Sequence, residues 1–194
     1  MNPEFIVVHN TANDASAASE INYMINNNKQ TSFHYAIDDK EIVQGISEDR
    51  NAWHAGDGGR GRGNRRGIAV EICYSRSGGE RFIKAEILAA KFIAAKLKER
   101  GWGIDRVKKH QDFSGKYCPH RTLDMGWQRF LNMVNIELAG NANSEPALNI
   151  TVKGRKIDIE HYIKNNKTYV PLREICENLG YSVSWSKERG IVIE

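Results

Sequence analysis

Long apolar runs are missing from these 194 residues. None approaches the ~20 that a helix needs to cross a bilayer, so no membrane insertion is expected. Cysteine is scarce as well: Cys73, Cys118 and Cys176 are odd in number and widely spaced. That argues against a disulfide framework and leaves metal binding or plain burial, with burial the default for Cys73 and Cys176. The opening MNPEFIVVHN has no basic segment followed by a long apolar stretch, so synthesis and folding in the cytosol without a secretory signal is the expectation. Excess charge is small: a net +4 spread along the chain predicts no nucleic-acid partner, though mild positive charge favours approach to an anionic surface such as a bacterial wall.

What is present is enough for one core of roughly 100 to 150 residues plus a smaller appendage. Phe5 to Val8 is a short apolar run ending in His9, Asn10 and Thr11, the pattern of a buried strand whose carboxyl end carries polar groups. Apolar positions from Ala17 to Ile25 follow helical spacing, with Asn13 or Asp14 as the expected N-cap. Residues 33–37 and 41–44 flank a turn and predict a hairpin. Residues 45–66 show no periodicity and end in GDGGRGRGNRR. The GxGxxG match there has no strand before it and no apolar helix after it, so a dinucleotide site is rejected; a mobile basic loop lining a groove and a solvated surface loop are equal readings. Residues 67–74, GIAVEICY, predict a strand with Ile68, Val70, Ile72 and Tyr74 on one face and Ala69, Glu71 and Cys73 on the other. A helix over 83–100 carries an apolar stripe of Ile83, Ile87, Ala90, Ala94 and Leu97, closed by Gly101. A short strand near Val107 and a helix from about Leu123 to Gly140 complete a first domain, residues 1–140. A small polar linker, 141–147, separates it from a unit of short strands and one helix, 148–194.

The chemistry concentrates in KKHQDFSGKYCPHR, residues 108–121. His110 and Cys118 are soft donors on one short loop, and imidazole with thiolate is a set zinc favours. A third ligand must come from elsewhere. Of the remaining histidines, His9 has the strongest claim, because the end of a buried strand presents a ligand rigidly; His34 and His54 read as groove residues and His120 is crowded by Pro119. Three protein ligands are the count of a catalytic zinc, which lowers the pKa of bound water and polarises a carbonyl, so hydrolysis is the natural reaction class. Glu71, held inside a strand with no evident partner, suits a general base, and Lys116 suits stabilisation of a developing oxyanion. The alternatives are a buried salt bridge for Glu71 and a solvated side chain for Lys116.

VVHNT at 7–11, NAWHAG at 51–56, VEICYS at 70–75 and HQDFSGKYCPHR at 110–121 together resemble the zinc N-acetylmuramoyl-L-alanine amidases of the type-2 family. These are related to peptidoglycan recognition proteins, and the likeness extends to endolysins from phages of Gram-positive spore formers. The resemblance implies a mixed central β-sheet flanked by helices, zinc on His9, His110 and Cys118, Glu71 as base and Lys116 supporting the transition state. It implies hydrolysis of the amide between N-acetylmuramic acid and L-alanine of bacterial peptidoglycan. The enzyme would be made in the host cytoplasm and act on the cell wall after release. Trp53 and His54 match a segment bordering the family's groove, which implies contact with sugar or stem peptide there; the groove reading of His34 rests on the residues alone. Where some phage lysozymes of the family carry a catalytic tyrosine, this chain has Phe33, which increases reliance on Glu71. The rival reading is a zinc-containing peptidoglycan-binding protein that does not cut. Residues 148–193 resemble the small α+β repeat named after the N-terminal domain of copper amine oxidases. His161 is the single histidine there, so no copper site is expected; by analogy the unit is a wall-binding or self-association module.

Overall fold

A computed structural model describes residues 1–139, 150–152, 154–157, 162–164, 167–186 and 188–194. The chain divides into two compact units, Met1–Asn141 and Ala142–Glu194.

In the first unit, strand β1 (Phe5–Asn10) is buried along its whole length. It lies between two parallel neighbours, β4 (Gly67–Ile72) and β5 (Val107–Lys109). Strand β2 (Tyr35–Ile37) runs parallel to β4, while β3 (Ile42–Gln44) turns back antiparallel on β2, giving the order β3-β2-β4-β1-β5. One antiparallel edge on a parallel sheet makes it mixed. Because β1 and β4 are covered on both faces, they read as near-continuous apolar runs. The register sets His9 beside Glu71, and the parallel strands deliver their polar ends to one side of the sheet, where open α/β sheets place ligands.

Helix α1 (Ala17–Asn26) is capped by Ser16, whose hydroxyl accepts from the Ser19 amide. The expected caps do other work: Asn13 Oδ1 accepts from Ala15 N and Asp14 from Ser77 N. The last residues of the loop after β3 form the short helix α2 (Arg62–Arg66). Asp57 accepts from the amides of Gly63 and Asn64, and Asn64 Oδ1 accepts from His54 and Ala55. A side chain at Gly63 would meet Ala55 Cβ at 2.5 Å and the Phe113 ring at 2.9 Å, so glycine is required by close approach.

Helix α3 (Gly79–Arg100) ends as expected on Gly101 in the left-handed conformation. Of its expected stripe, Ala90, Ala94 and Leu97 are buried, together with Phe82, Ala85, Glu86, Ala89 and Ile93, whereas Ile83 and Ile87 are exposed. Glu86, an acid on the inner face, hides the true period from a hydrophobicity reading; Arg129 donates to it at 2.5 Å. The helix expected from about Leu123 to Gly140 is α6 (Trp127–Ala139); two short helices precede it, α4 (Gln111–Ser114) and α5 (His120–Asp124), with Gly126 at φ 105° separating α5 from α6.

In the second unit, three two-stranded antiparallel pairs are described: β6 (Ile150–Val152) with β7 (Arg155–Ile157), β8 (Tyr162–Lys164) with β9 (Lys167–Tyr169), and β10 (Val183–Ser186) with β11 (Gly190–Ile193). Helix α7 (Leu172–Leu179) follows β9 and buries Cys176. Strand β8 had no periodic signal in the sequence. The expected linker 141–147 and His161 lie outside the described residues.

Candidate metal centre

Three side chains from distant parts of the chain converge where β1 and β5 end. His9 is the fifth residue of β1, His110 follows β5 directly, and Cys118 closes the loop after α4. Their donor atoms all lie within 4.8 Å of one another and all three residues are buried. The Nδ1 atoms of His9 and His110 are 3.0 Å apart, and Cys118 Sγ is 3.9 Å from His9 Nδ1. A tetrahedral shell with bonds of about 2.0–2.3 Å separates neighbouring donors by roughly 3.3–3.6 Å, so these spacings bracket what a zinc-sized ion needs.

The electrostatics fit a cation. Burial, then repulsion from His54, His110 and Lys116, holds the His9 imidazole well below its ordinary range. Burial and Lys116 lower His110, with Asp57 and the Ala55 carbonyl opposing. Both rings are therefore neutral at pH 7 and offer lone pairs. Burial, then the Glu71 charge, pushes the Cys118 thiol up to about 11, so a thiolate here needs a positive partner.

The supporting contacts explain the aim of each donor. His9 turns Nδ1 to the centre and Nε2 to His54 Nδ1, 3.0 Å away; this assigns the His9 proton to Nε2 and makes His54 the outer partner of a ligand. Asn10 reaches across to the start of α5, its Oδ1 accepting from Arg121 N at 3.0 Å and Thr122 N at 3.2 Å. The Gln111 amide donates to Cys118 O at 3.0 Å, closing the loop between His110 and Cys118 on itself. The sequence shows Asn10 only as a polar strand end; its anchoring role is hidden because its partners are backbone amides more than a hundred residues away.

Glu71 stands beside His9. Its Oε2 is buried without a hydrogen-bond partner, and burial together with the Glu20 charge raises its carboxyl to about 8 against the opposing charge of Lys116. Lys116 is exposed, two residues before Cys118. Glu71 also lines a cavity of about 550 Å³ that runs along α1 past Glu20 and Tyr23 to Lys29.

The three residues assigned to the groove separate. His54 is 7% exposed and belongs to the donor shell; burial, His34 and His110 lower its imidazole to about 3. Trp53 is 41% exposed, tied to Ser32 by backbone and side-chain hydrogen bonds, and is not among the residues lining the cavity. His34 is a correction. It is fully buried, its Nδ1 accepting from Ala69 N at 2.9 Å and its Nε2 donating to Arg50 O at 3.0 Å. With both nitrogens engaged by backbone, it cross-links β4 to the 50s loop and offers nothing to a substrate.

A mixed α/β sheet carrying a buried His–His–Cys cluster beside Glu71 is a candidate metal centre. The chain belongs to the N-acetylmuramoyl-L-alanine amidase family, whose profile matches residues 1–121. It is 60% identical over 151 residues to the N-acetylmuramoyl-L-alanine amidase CwlA of Bacillus subtilis, covering 76% of this chain and 56% of that protein. It is 59% identical to the N-acetylmuramoyl-L-alanine amidase XlyB of the same organism, over 76% of this chain and 47% of the relative. The chain thus spans about half the length of the curated relatives it matches. Among solved structures, PlyL superposes with a TM-score of 0.68 at 51% identity, over 71% of this chain and 86% of that one. The catalytic domain of XlyA gives 0.64 at 40% identity, over 69% and 87%. A second profile, the copper amine oxidase N-terminal domain, matches residues 151–193. No helix among the described residues is long and apolar enough to cross a membrane.

Proposed function

We propose that this protein is a zinc-dependent peptidoglycan amidase that cleaves the amide between N-acetylmuramic acid and the L-alanine of the stem peptide, acting on the bacterial cell wall as endolysins and autolysins do. The observation that carries this reading is the buried His9, His110 and Cys118 cluster with Glu71 at its side. Relatives named as amidases support it over the non-cutting alternative. A zinc ion held by those three residues supplies a polarised carbonyl and a water of lowered pKa. Glu71 takes the proton of the attacking water and passes it to the leaving nitrogen as the C–O bond forms and the C–N bond breaks. The Lys116 ammonium faces the charge that develops on the carbonyl oxygen. His54 fixes the ring of His9, and exposed Trp53 offers a face to sugar or peptide.

For the C-terminal region, residues 148–194, we propose wall binding or self-association. Trp185 pairs with Ile191 across β10 and β11, and the two are 68% and 61% exposed, the kind of apolar surface that marks contact sites. Tethering would raise the local concentration of the first unit on the wall.

Mass spectrometry of digested peptidoglycan tests the main reading: free N-terminal L-alanine on released stem peptides is expected, together with about one zinc per chain. Sugar-reducing ends without new alanine termini would reject it. Wall pelleting of residues 1–140 against the full chain tests the tether, and equal binding would sink it.

A further inference from the structure

The cavity beside Glu71 contains a second acid that the proposed reaction does not use. Glu20, in the first turn of α1, is only 9% exposed and lines the cavity. Asn13 Nδ2 donates to its Oε1 at 2.5 Å, and Asn13 is itself fixed by accepting from Ala15 N. No ion pair to Glu20 is found among the described residues. Its second oxygen has no hydrogen-bond partner among the described residues and is open to the cavity, so a donor entering there gains a charge-assisted hydrogen bond. Close by, Thr11 lines the same cavity with its Oγ1 buried and unpartnered, and so does Glu71 with Oε2. The inner part of the cavity therefore presents two carboxylates and a free hydroxyl. Its one cation, Lys29, lies at the outer rim, where it donates to the Tyr23 hydroxyl at 2.9 Å.

We propose that Glu20 is a specificity-determining residue of the groove: held by Asn13, it accepts a hydrogen bond from an N–H of the stem peptide just beyond the scissile amide and disfavours a carboxylate there. This rests on the amidase reading above. The second stem residue is a glutamate joined through its side chain, and it is the first residue past L-alanine to carry a free functional group, either an α-carboxylate or an α-carboxamide. A carboxamide gives Glu20 the donor it lacks. A carboxylate brings a second negative charge against Glu20 beside the buried Glu71, and like charges brought together in a partly desolvated cleft repel strongly.

The test uses the zinc-loaded full chain and two synthetic muramoyl-tripeptides that differ only in that group, with kcat and KM measured for each. The carboxamide substrate should show a KM about tenfold lower, the size of one charge-assisted hydrogen bond. In Glu20→Gln that ratio should fall to within about twofold, and Glu20→Asp should restore part of it. Equal KM values in the unaltered protein overturn the assignment whether or not the variants fold, as does a Glu20→Gln protein that keeps the tenfold ratio. If neither substrate is cut, the amidase reading fails instead. Titration calorimetry of the same two compounds then decides the Glu20 assignment, with equal affinities overturning it and a carboxamide preference upholding it.

Discussion

The helix layer behind the sheet and the groove at its carboxyl end treat buried acids in opposite ways. Against α3, Glu86 receives the Arg129 guanidinium, and Glu48 receives the Tyr35 hydroxyl at 2.5 Å, Lys96 at 3.1 Å and Arg100. In the groove, Glu71 has no cation within ion-pair distance among the described residues and Glu20 has one amide. Burial raises carboxyl pKa values in both places. In Glu48 the hydrogen bonds of Tyr35 and Lys96 and the charges of Lys96 and Arg100 outweigh burial and hold it below the ordinary range; in Glu71 nothing does, and it rises to about 8. The same residue type is a structural clamp where cations answer it and, in the proposed reaction, a proton carrier where they are withheld.

The comparison can be broken most decisively at the metal. Cys118→Ser or His110→Ala should abolish lysis, a loss of at least ~10³-fold, with zinc content falling in parallel; lysis that survives confirmed zinc removal would end the mechanism. Glu71→Gln should lower turnover by roughly 10²–10⁴-fold while zinc is retained. In the metal-free protein the same change should remove a pH effect. A carboxyl whose folded pKa is raised to about 8 is harder to ionise folded than unfolded, so stability falls as pH climbs from the ordinary carboxylate range through about 8. Thermal melts from pH 5 to 8 should decline for the unaltered chain and flatten for Glu71→Gln.

On the structural side, Arg129→Met strands Glu86, which is 1% exposed, and should cost about 3 kcal/mol in denaturant unfolding while leaving kcat near normal. The smallest effect belongs to Glu48→Gln, about 1–2 kcal/mol at pH 7. Because the folded pKa of Glu48 is lowered, its contribution is present above the ordinary carboxylate range and vanishes as pH falls through the folded value. The two proteins should therefore converge in acid. A Glu71-like rise in stability on neutralising Glu48 would erase the contrast.

Much of the site was legible because its residues announce themselves locally. His110 and Cys118 share one loop of soft donors, His9 ends an apolar run, and Glu71 interrupts the strongest strand. The fold was legible where a period was clean, as in β1, β4 and the β2–β3 hairpin. It failed where a polar residue serves the interior. Glu86 sits on the buried face of α3, where the first turns were expected to bury Ile83 and Ile87 instead, while His34 reads as a groove residue although its partners are main-chain atoms of Ala69 and Arg50. Glu20 gave no sign, since an acid in the first turn of a helix ordinarily has the helix dipole as sufficient reason to be there, and Asn13 reads only as a cap.

Asn10 has a consequence for how the protein loosens. It adjoins His9 on β1 and holds the amides of Arg121 and Thr122, three and four residues past Cys118. Two ligand-bearing segments thus share one anchor, and neither opens without freeing those amides. Deuterium uptake at Arg121 and Thr122 should then be slow and track global opening, while the exposed tip around Lys116 exchanges freely. The loop is quick at its tip and fixed at its root.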